Sequence, residues 1–210
     1  MSQLVEVERR ALGCTLCQLA AGRTTVVFGE GAPGAGLMVV GEGPGRDEDL
    51  QGRPFVGRSG QLLDRLLLEE AGLGRAQVYI ANVVKCRPPN NRDPLPAEID
   101  ACRPYLEAQI ELIDPAVILT LGNFASRTLL GTSQGITKLR GRTYPYPGRG
   151  SNRAVVVPTF HPAAALRGGG EVVARMRADF VRARQSLEAA GPGAGADRPA
   201  RDPAPGTARP

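Results

Sequence analysis

Four cysteines, Cys14, Cys17, Cys86 and Cys102, are the residues whose type and spacing most directly imply chemistry. The first two form a C-x-x-C pair, and the other two bracket the proline-rich stretch KCRPPNNRDPLPAEIDAC far downstream. Thiols drawn from separate segments read as one ligand set gathered by folding. Structural zinc favours two tight pairs, so the loose second pair leans toward a cubane [4Fe–4S] cluster; zinc and four unrelated buried thiols are the other readings. Disulfides fit poorly, because MSQLVEVERRALGC lacks the apolar core of an export signal, which implies a reducing, cytoplasmic setting.

The remaining candidates follow apolar runs. GEGPGRDED, residues 41–49, sets glycines beside Glu42, Asp47, Glu48 and Asp49. Glycines let a ligand approach backbone, whereas the acids argue against phosphate cradling, and neither a P-loop nor G-x-G-x-x-G is present. An acidic surface turn is the competing reading. Phe55 lies in GRPFVGRSG between Arg53 and Arg58, a setting suited to base stacking beside phosphates, although a lone Phe is more often core. Asn82, inside the apolar run YIANVVK, needs hydrogen-bond partners if buried; it ties loops together or reads the edge of a planar heterocycle. His161, the one histidine, sits in PTFHP, where the following proline favours an extended backbone and leaves the ring at a strand mouth, able to donate to a leaving group.

Those residues need elements to position them. Periodicity predicts helices over residues 2–12, 57–72, 95–113, from 122 through 130 and about 171–188, and strands over 37–40, 78–84, 116–121 and 154–157; Thr24–Phe28 is a further β-branched run. Strands alternating with helices predict an α/β fold: a single three-layer αβα domain with a central, mostly parallel sheet covered on both faces. Ligands of such folds lie beyond the carboxyl ends of the strands, where GEGPG, Asn82, Gly122-Asn123 and His161 fall.

With 210 residues, one domain over 1–188 is expected, followed by a Pro/Gly/Ala-rich tail, 189–210, expected to be disordered. The net charge of +5 comes almost wholly from Arg and suits a phosphate-rich partner. It belongs to the body, since the tail's Arg and Asp nearly cancel. No apolar run has the length of a membrane span, so no membrane association is expected.

In combination and order, C-x-x-C, GEGPG, GRPFVGRSGQLL, ANVVKCRPP, Cys102 and FHP resemble the family-4 (iron–sulfur) uracil-DNA glycosylases over about residues 10–185. The resemblance implies a structural [4Fe–4S] cluster on Cys14, Cys17, Cys86 and Cys102, and uracil-containing DNA as the partner of a monomeric enzyme. Phe55 would stack on flipped-out uracil, Asn82 would read its edge, and Gly41, Glu42, Gly43 and Asp47 would line the pocket. His161 would stabilise charge on uracil O2, and Glu42 or Glu48 would orient water. Residues 163–167 resemble a loop that enters the minor groove, with Leu166 as wedge and Arg167, like Arg58, on the DNA. Where the best-known uracil glycosylases have GQDPYH, this chain has GEGPGR. Relatives trapped covalently through a loop histidine are a poor match, because residues 135–142 contain none. The alternative from another class is a non-catalytic, metal-stabilised DNA-binding module of a repair or replication assembly.

Overall fold

Residues 2–148 and 154–191 are described by the computed structural model; apart from its first residues, the expected tail lies outside them. The chain begins with α1 (Gln3–Leu12), α2 (Leu19–Gly22), β1 (Glu30–Gly31) and β2 (Leu37–Gly41). It continues through α3 (Arg46–Gln51), α4 (Arg58–Leu66, prolonged by a π-helical turn to Ala71), β3 (Tyr79–Asn82) and α5 (Pro96–Ile113). Then come β4 (Val117–Leu121), α6 (Gly122–Leu130), α7 (Ile136–Leu139), β5 (Tyr144–Pro145), β6 (Val155–Thr159) and α8 (Pro162–Ala189).

The sheet order is β1-β3-β2-β4-β6-β5. The inner four strands are parallel, and the two-residue edge strands β1 and β5 are antiparallel. Strands this short carry no readable period, which is why sequence patterning misses both edges. Every residue of β2, β3 and β4 is buried, and side chains alternate between two layers as the pleat requires. Met38, Val40, Ile118 and Val156 pack with Ala11, Leu106, Ile110 and Ala125 from α1, α5 and α6. On the other face, Leu37, Val39, Val117, Leu119 and Val157 meet Leu62, Leu63 and Leu66 of α4 and Met176 and Phe180 of α8. This is the αβα sandwich expected from the alternation.

Three local readings change. Thr24–Phe28 takes no place in the sheet: Val26, Val27 and Phe28 are buried, and the Val27 N–H donates to the Lys85 carbonyl at 2.8 Å. Asp49, read with the acidic turn, is 3 % exposed, and its carboxylate accepts from the Thr24 and Thr25 N–H groups. The last helix also starts earlier than its periodicity suggests, at Pro162, so residues 163–167 form helical turns rather than a loop. Gly168-Gly-Gly170 hid this continuity: Gly169 (φ 72°, ψ −163°) interrupts the helix, and no apolar stripe crosses the break.

The chain passes from β2 outward to β3, then back across β2 to β4 and β6. The sheet therefore changes winding direction between β2 and β4, and the crevice beyond their carboxyl ends is where an open α/β sheet accepts ligands.

Candidate active site

Gly41 ends β2 beside its register partner Asn82, which ends β3. A Cβ on Gly41 would stand 2.4 Å from Asn82 Oδ1 and 2.5 Å from Phe55 Cζ, so these three residues converge on one point that only glycine permits. Asn82 is 1 % exposed, and its Oδ1 is a buried acceptor with no hydrogen-bond partner among the described residues. Such an orphan costs about 1–3 kcal/mol unless a ligand supplies the missing donor. The Phe55 ring lies 5.8 Å from the His161 ring at a 33° tilt. His161 in turn sits against Gly122, where the left-handed backbone (φ 88°) turns β4 into α6 and a Cβ would lie 3.1 Å from the His161 Cβ.

Phe55 is itself in the left-handed region, at φ 52°, which costs a non-glycine residue about 1–2 kcal/mol. Three devices hold it there. Glu48 accepts from the Val56 and Gly57 N–H groups at 3.0 and 3.2 Å through Oε1, while its Oε2 accepts from the Gly45 N–H at 3.1 Å. Arg75 donates to the Phe55 carbonyl at 3.2 Å and to the Pro54 carbonyl, and is braced by Glu30 and Asp64. Gly60 completes the clamp: a Cβ there would fall 1.7 Å from the Phe55 carbonyl oxygen. Asp47 is exposed on α3, on the Gly57 side of this loop.

His161 caps α8, its Nδ1 accepting from the Ala163 N–H at 3.2 Å, which leaves the proton of the neutral ring on Nε2. Burial, aided by the Arg167 charge, pushes its pKa down to about 4, so the ring is neutral near pH 7. Behind it, Thr159 at the end of β6 donates to the fully buried Asp179 at 2.8 Å, and Arg140 clamps the same carboxylate at 2.9 and 3.0 Å. Glu42 has the opposite perturbation. Burial and then the neighbouring Asp93 push it up to about 7. Gly43 lets the GEGPG turn lie on the following loop, since a Cβ there would meet Val84 at 2.7 Å. Arg58, Leu166 and Arg167 are exposed at the starts of α4 and α8, with Leu166 at 43 %.

All four cysteines are free thiols and line a single cavity, together with Ala11, Leu16, Ala20, Arg23 and Tyr105. Arg23 donates to the Cys86 sulfur at 3.4 Å and to the Cys14 carbonyl at 2.7 Å, and the Lys85 N–H donates to the Cys102 sulfur at 3.2 Å. Burial pushes the Cys86 and Cys102 thiols up, so neither is a ready nucleophile without a positive centre beside it. Among the described residues, no three His, Cys, Asp or Glu side chains are arranged to hold a single metal ion. Glu98 ties the cavity walls together: it caps α5, accepts from Gln18 next to Cys17, and receives both Arg92 donors, which hold its carboxyl down at about 2.

The residues that sequence reasoning missed are the supports. Arg75, Asp179 and Arg140 carry no local signal because their partners are distant in the chain. Gly60 and Gly122 stood inside quoted motifs without a stated role. Lys85, a charged residue continuing an apolar strand, was the one visible clue.

Residues 28–188 match the family model of the uracil DNA glycosylase superfamily. A type-4 uracil-DNA glycosylase of Thermotoga maritima is 51% identical over 162 residues, covering 77% of this chain and 82% of the relative. Those of Sulfurisphaera tokodaii and Saccharolobus solfataricus are 47% identical over 170 residues (79% and 77% of the two chains) and 48% over 157 residues (73% and 72%). Identity at this level over most of both chains, on an αβα sheet whose strand ends gather Gly41, Phe55, Asn82 and His161, means that the chain belongs to the uracil-DNA glycosylase superfamily and, within it, to the type-4 group.

Proposed function

We propose that this protein removes uracil from DNA, hydrolysing the N-glycosidic bond to give free uracil and an abasic site. The observation that carries the reading is the unpartnered Asn82 Oδ1, buried between Gly41 and the ring of Phe55. A pyrimidine imide N–H is the donor it lacks, and the Phe55 ring supplies the stacking face. Extruding the base costs a few kcal/mol, least at a weak pair. The bond to C1′ then breaks with its electron pair leaving on uracil, and water adds to the resulting sugar cation. The neutral His161 donates its Nε2 proton in a hydrogen bond to the developing charge on O2. Of the two acids, Glu42 is assigned to the water, because both oxygens of Glu48 already accept backbone donors that hold Phe55. Leu166, with Arg167 and Arg58, faces the DNA in this assignment, Leu166 filling the space left by the base.

The four thiols fit a [4Fe–4S] cluster. They line one cavity, as a polynuclear group needs, and two N–H···S bonds meet them. When bound, the cluster supplies iron–thiolate links that join the α1–α2 segment, the loop after β3 and α5, and it takes no electrons in the hydrolysis.

The test is incubation of iron-loaded protein with a uracil-containing oligonucleotide and its thymine counterpart, followed by alkaline cleavage. Strand breakage confined to the uracil strand is expected, and an intact uracil strand would overturn the assignment in favour of a non-catalytic DNA-binding module. A second expectation concerns pH. Glu42 acts as the carboxylate, so the single-turnover rate falls as pH drops below about 7, a range in which His161 stays neutral. Asp93→Asn removes the like charge that helps raise Glu42, and the limb moves to lower pH. A limb unmoved by this change would remove Glu42 from the role.

A further inference from the structure

Lys85 is among the largest fully buried side chains of the described residues, at 1 % exposure, and the excision chemistry does not use it. Its ammonium donates to the Asn82 carbonyl at 2.8 Å and to Gln109 Oε1 at 2.5 Å, and lies 5.8 Å from the centre of the Phe28 ring. Both hydrogen-bond acceptors are neutral. Gln109 is held in turn, its amide donating to the Phe28 carbonyl at 2.8 Å and the Tyr79 hydroxyl at 3.2 Å. The backbone of Lys85 faces the other way: its N–H donates to the Cys102 sulfur at 3.2 Å, its carbonyl accepts from the Val27 N–H at 2.8 Å, and the next residue is Cys86.

We propose that Lys85 is a positioning residue that joins the cysteine-lined cavity to the base-reading amide of Asn82, one end of the residue held by the thiol set and the other holding the strand end that aims the reader. This rests on the functional reading above. The physical argument is one of charge and geometry. A buried cation is costly unless negative charge stands near it, and here the hydrogen-bond acceptors provide only dipoles. Four thiolates around a cluster would carry the compensating charge, one of them on Cys102, whose sulfur accepts from the Lys85 N–H, and one on the adjacent Cys86. Asn82 ends β3, so the ammonium bond to its carbonyl acts on the last peptide of the strand, where a small rotation would carry the amide away from Gly41 and Phe55.

The experiment is a double-mutant cycle on iron-loaded protein, with Lys85→Met, Asn82→Ala and the pair, read as single-turnover excision of uracil from an oligonucleotide together with the reduction potential of the cluster. Lys85→Met at full iron content is expected to slow excision about tenfold, the worth of one charge-assisted hydrogen bond. In the Asn82→Ala background the same change costs less than about twofold, because its target is gone. The potential shifts to a more negative value, since a positive charge has left the neighbourhood of Cys86 and Cys102. An unchanged rate, an equal loss in both backgrounds, or an unmoved potential overturns the proposal. If Lys85→Met yields no iron-loaded protein, Lys85→Gln, which keeps a donor but no charge, enters the cycle under the same criteria. Wild-type protein that excises nothing, or Asn82→Ala at the wild-type rate, defeats the functional reading itself and is distinguishable from failure at Lys85.

Discussion

Asn82→Ala is expected to lower kcat/KM for uracil excision by about 10²–10³-fold while shifting Tm by less than about 3 °C. The two numbers come from the same atom. Oδ1 is buried without a partner in the free protein, so removing it withdraws a destabilising group and leaves fold stability nearly untouched. In the proposed complex, that oxygen accepts from the base edge, and a site built to hydrogen-bond its substrate loses far more when the bond is gone than an apolar pocket loses with a methyl group. Excision kinetics set beside a thermal melt check this. A Tm that falls in step with activity would make Asn82 a structural amide tying β3 to the GEGPG turn.

With the proposed cluster in place, Cys102→Ala is expected to abolish bound iron, remove the broad absorption near about 400 nm that such a cluster gives, and lower Tm by about 10 °C or more. Cys102 lies on α5, Cys86 follows β3, and Cys14 and Cys17 lie between α1 and α2; without the cluster, these segments are left to the Glu98 contacts, the Arg23 bonds, the Lys85–Gln109 bond and apolar packing. In that reading metal-binding free energy is folding free energy, because an unfolded chain holds no assembled site. Excision should fall with the fold, unlike the separation expected at Asn82. Iron analysis, the visible spectrum and a melting curve decide it. A colourless wild-type protein containing zinc would overturn the cluster, and a Cys102→Ala variant with unchanged Tm would overturn its structural role.

Much of the fold was legible because it is written in short-range periodicity. The buried runs at 37–40, 78–84 and 116–121 read as strands covered on both faces and hold β2, β3 and β4, and the helical spacing of Leu62, Leu63, Leu66 and Leu67 buries one stripe. What failed were features without a period: the two-residue edges β1 and β5, the bridge of α8 across Gly169, and the run from Thr24 to Phe28, which takes no place in the sheet. The candidate site followed the same division. Gly41, Phe55, Asn82 and His161 were visible because each is an odd residue for its place, and Asp49 was misjudged because its neighbours in the chain are acidic while its partners, Thr24 and Thr25, lie elsewhere.

By itself, then, the sequence determined the main helices and the inner strands, and it marked Gly41, Phe55, Asn82, His161 and the four cysteines as candidates, since these depend on residue type and local spacing. Only the tertiary structure decided what each of them does to the others. It separated two similar acids, leaving Glu42 desolvated near neutrality while Glu48 is spent on the backbone around Phe55. It held Phe55 in a left-handed conformation with Arg75 and Gly60, and put Lys85 between the cysteine cavity and Asn82. The reason is physical: desolvation, orphaned polar atoms and close backbone approach arise between groups distant in the chain, and they come into being only when the sheet brings its strand ends into one crevice.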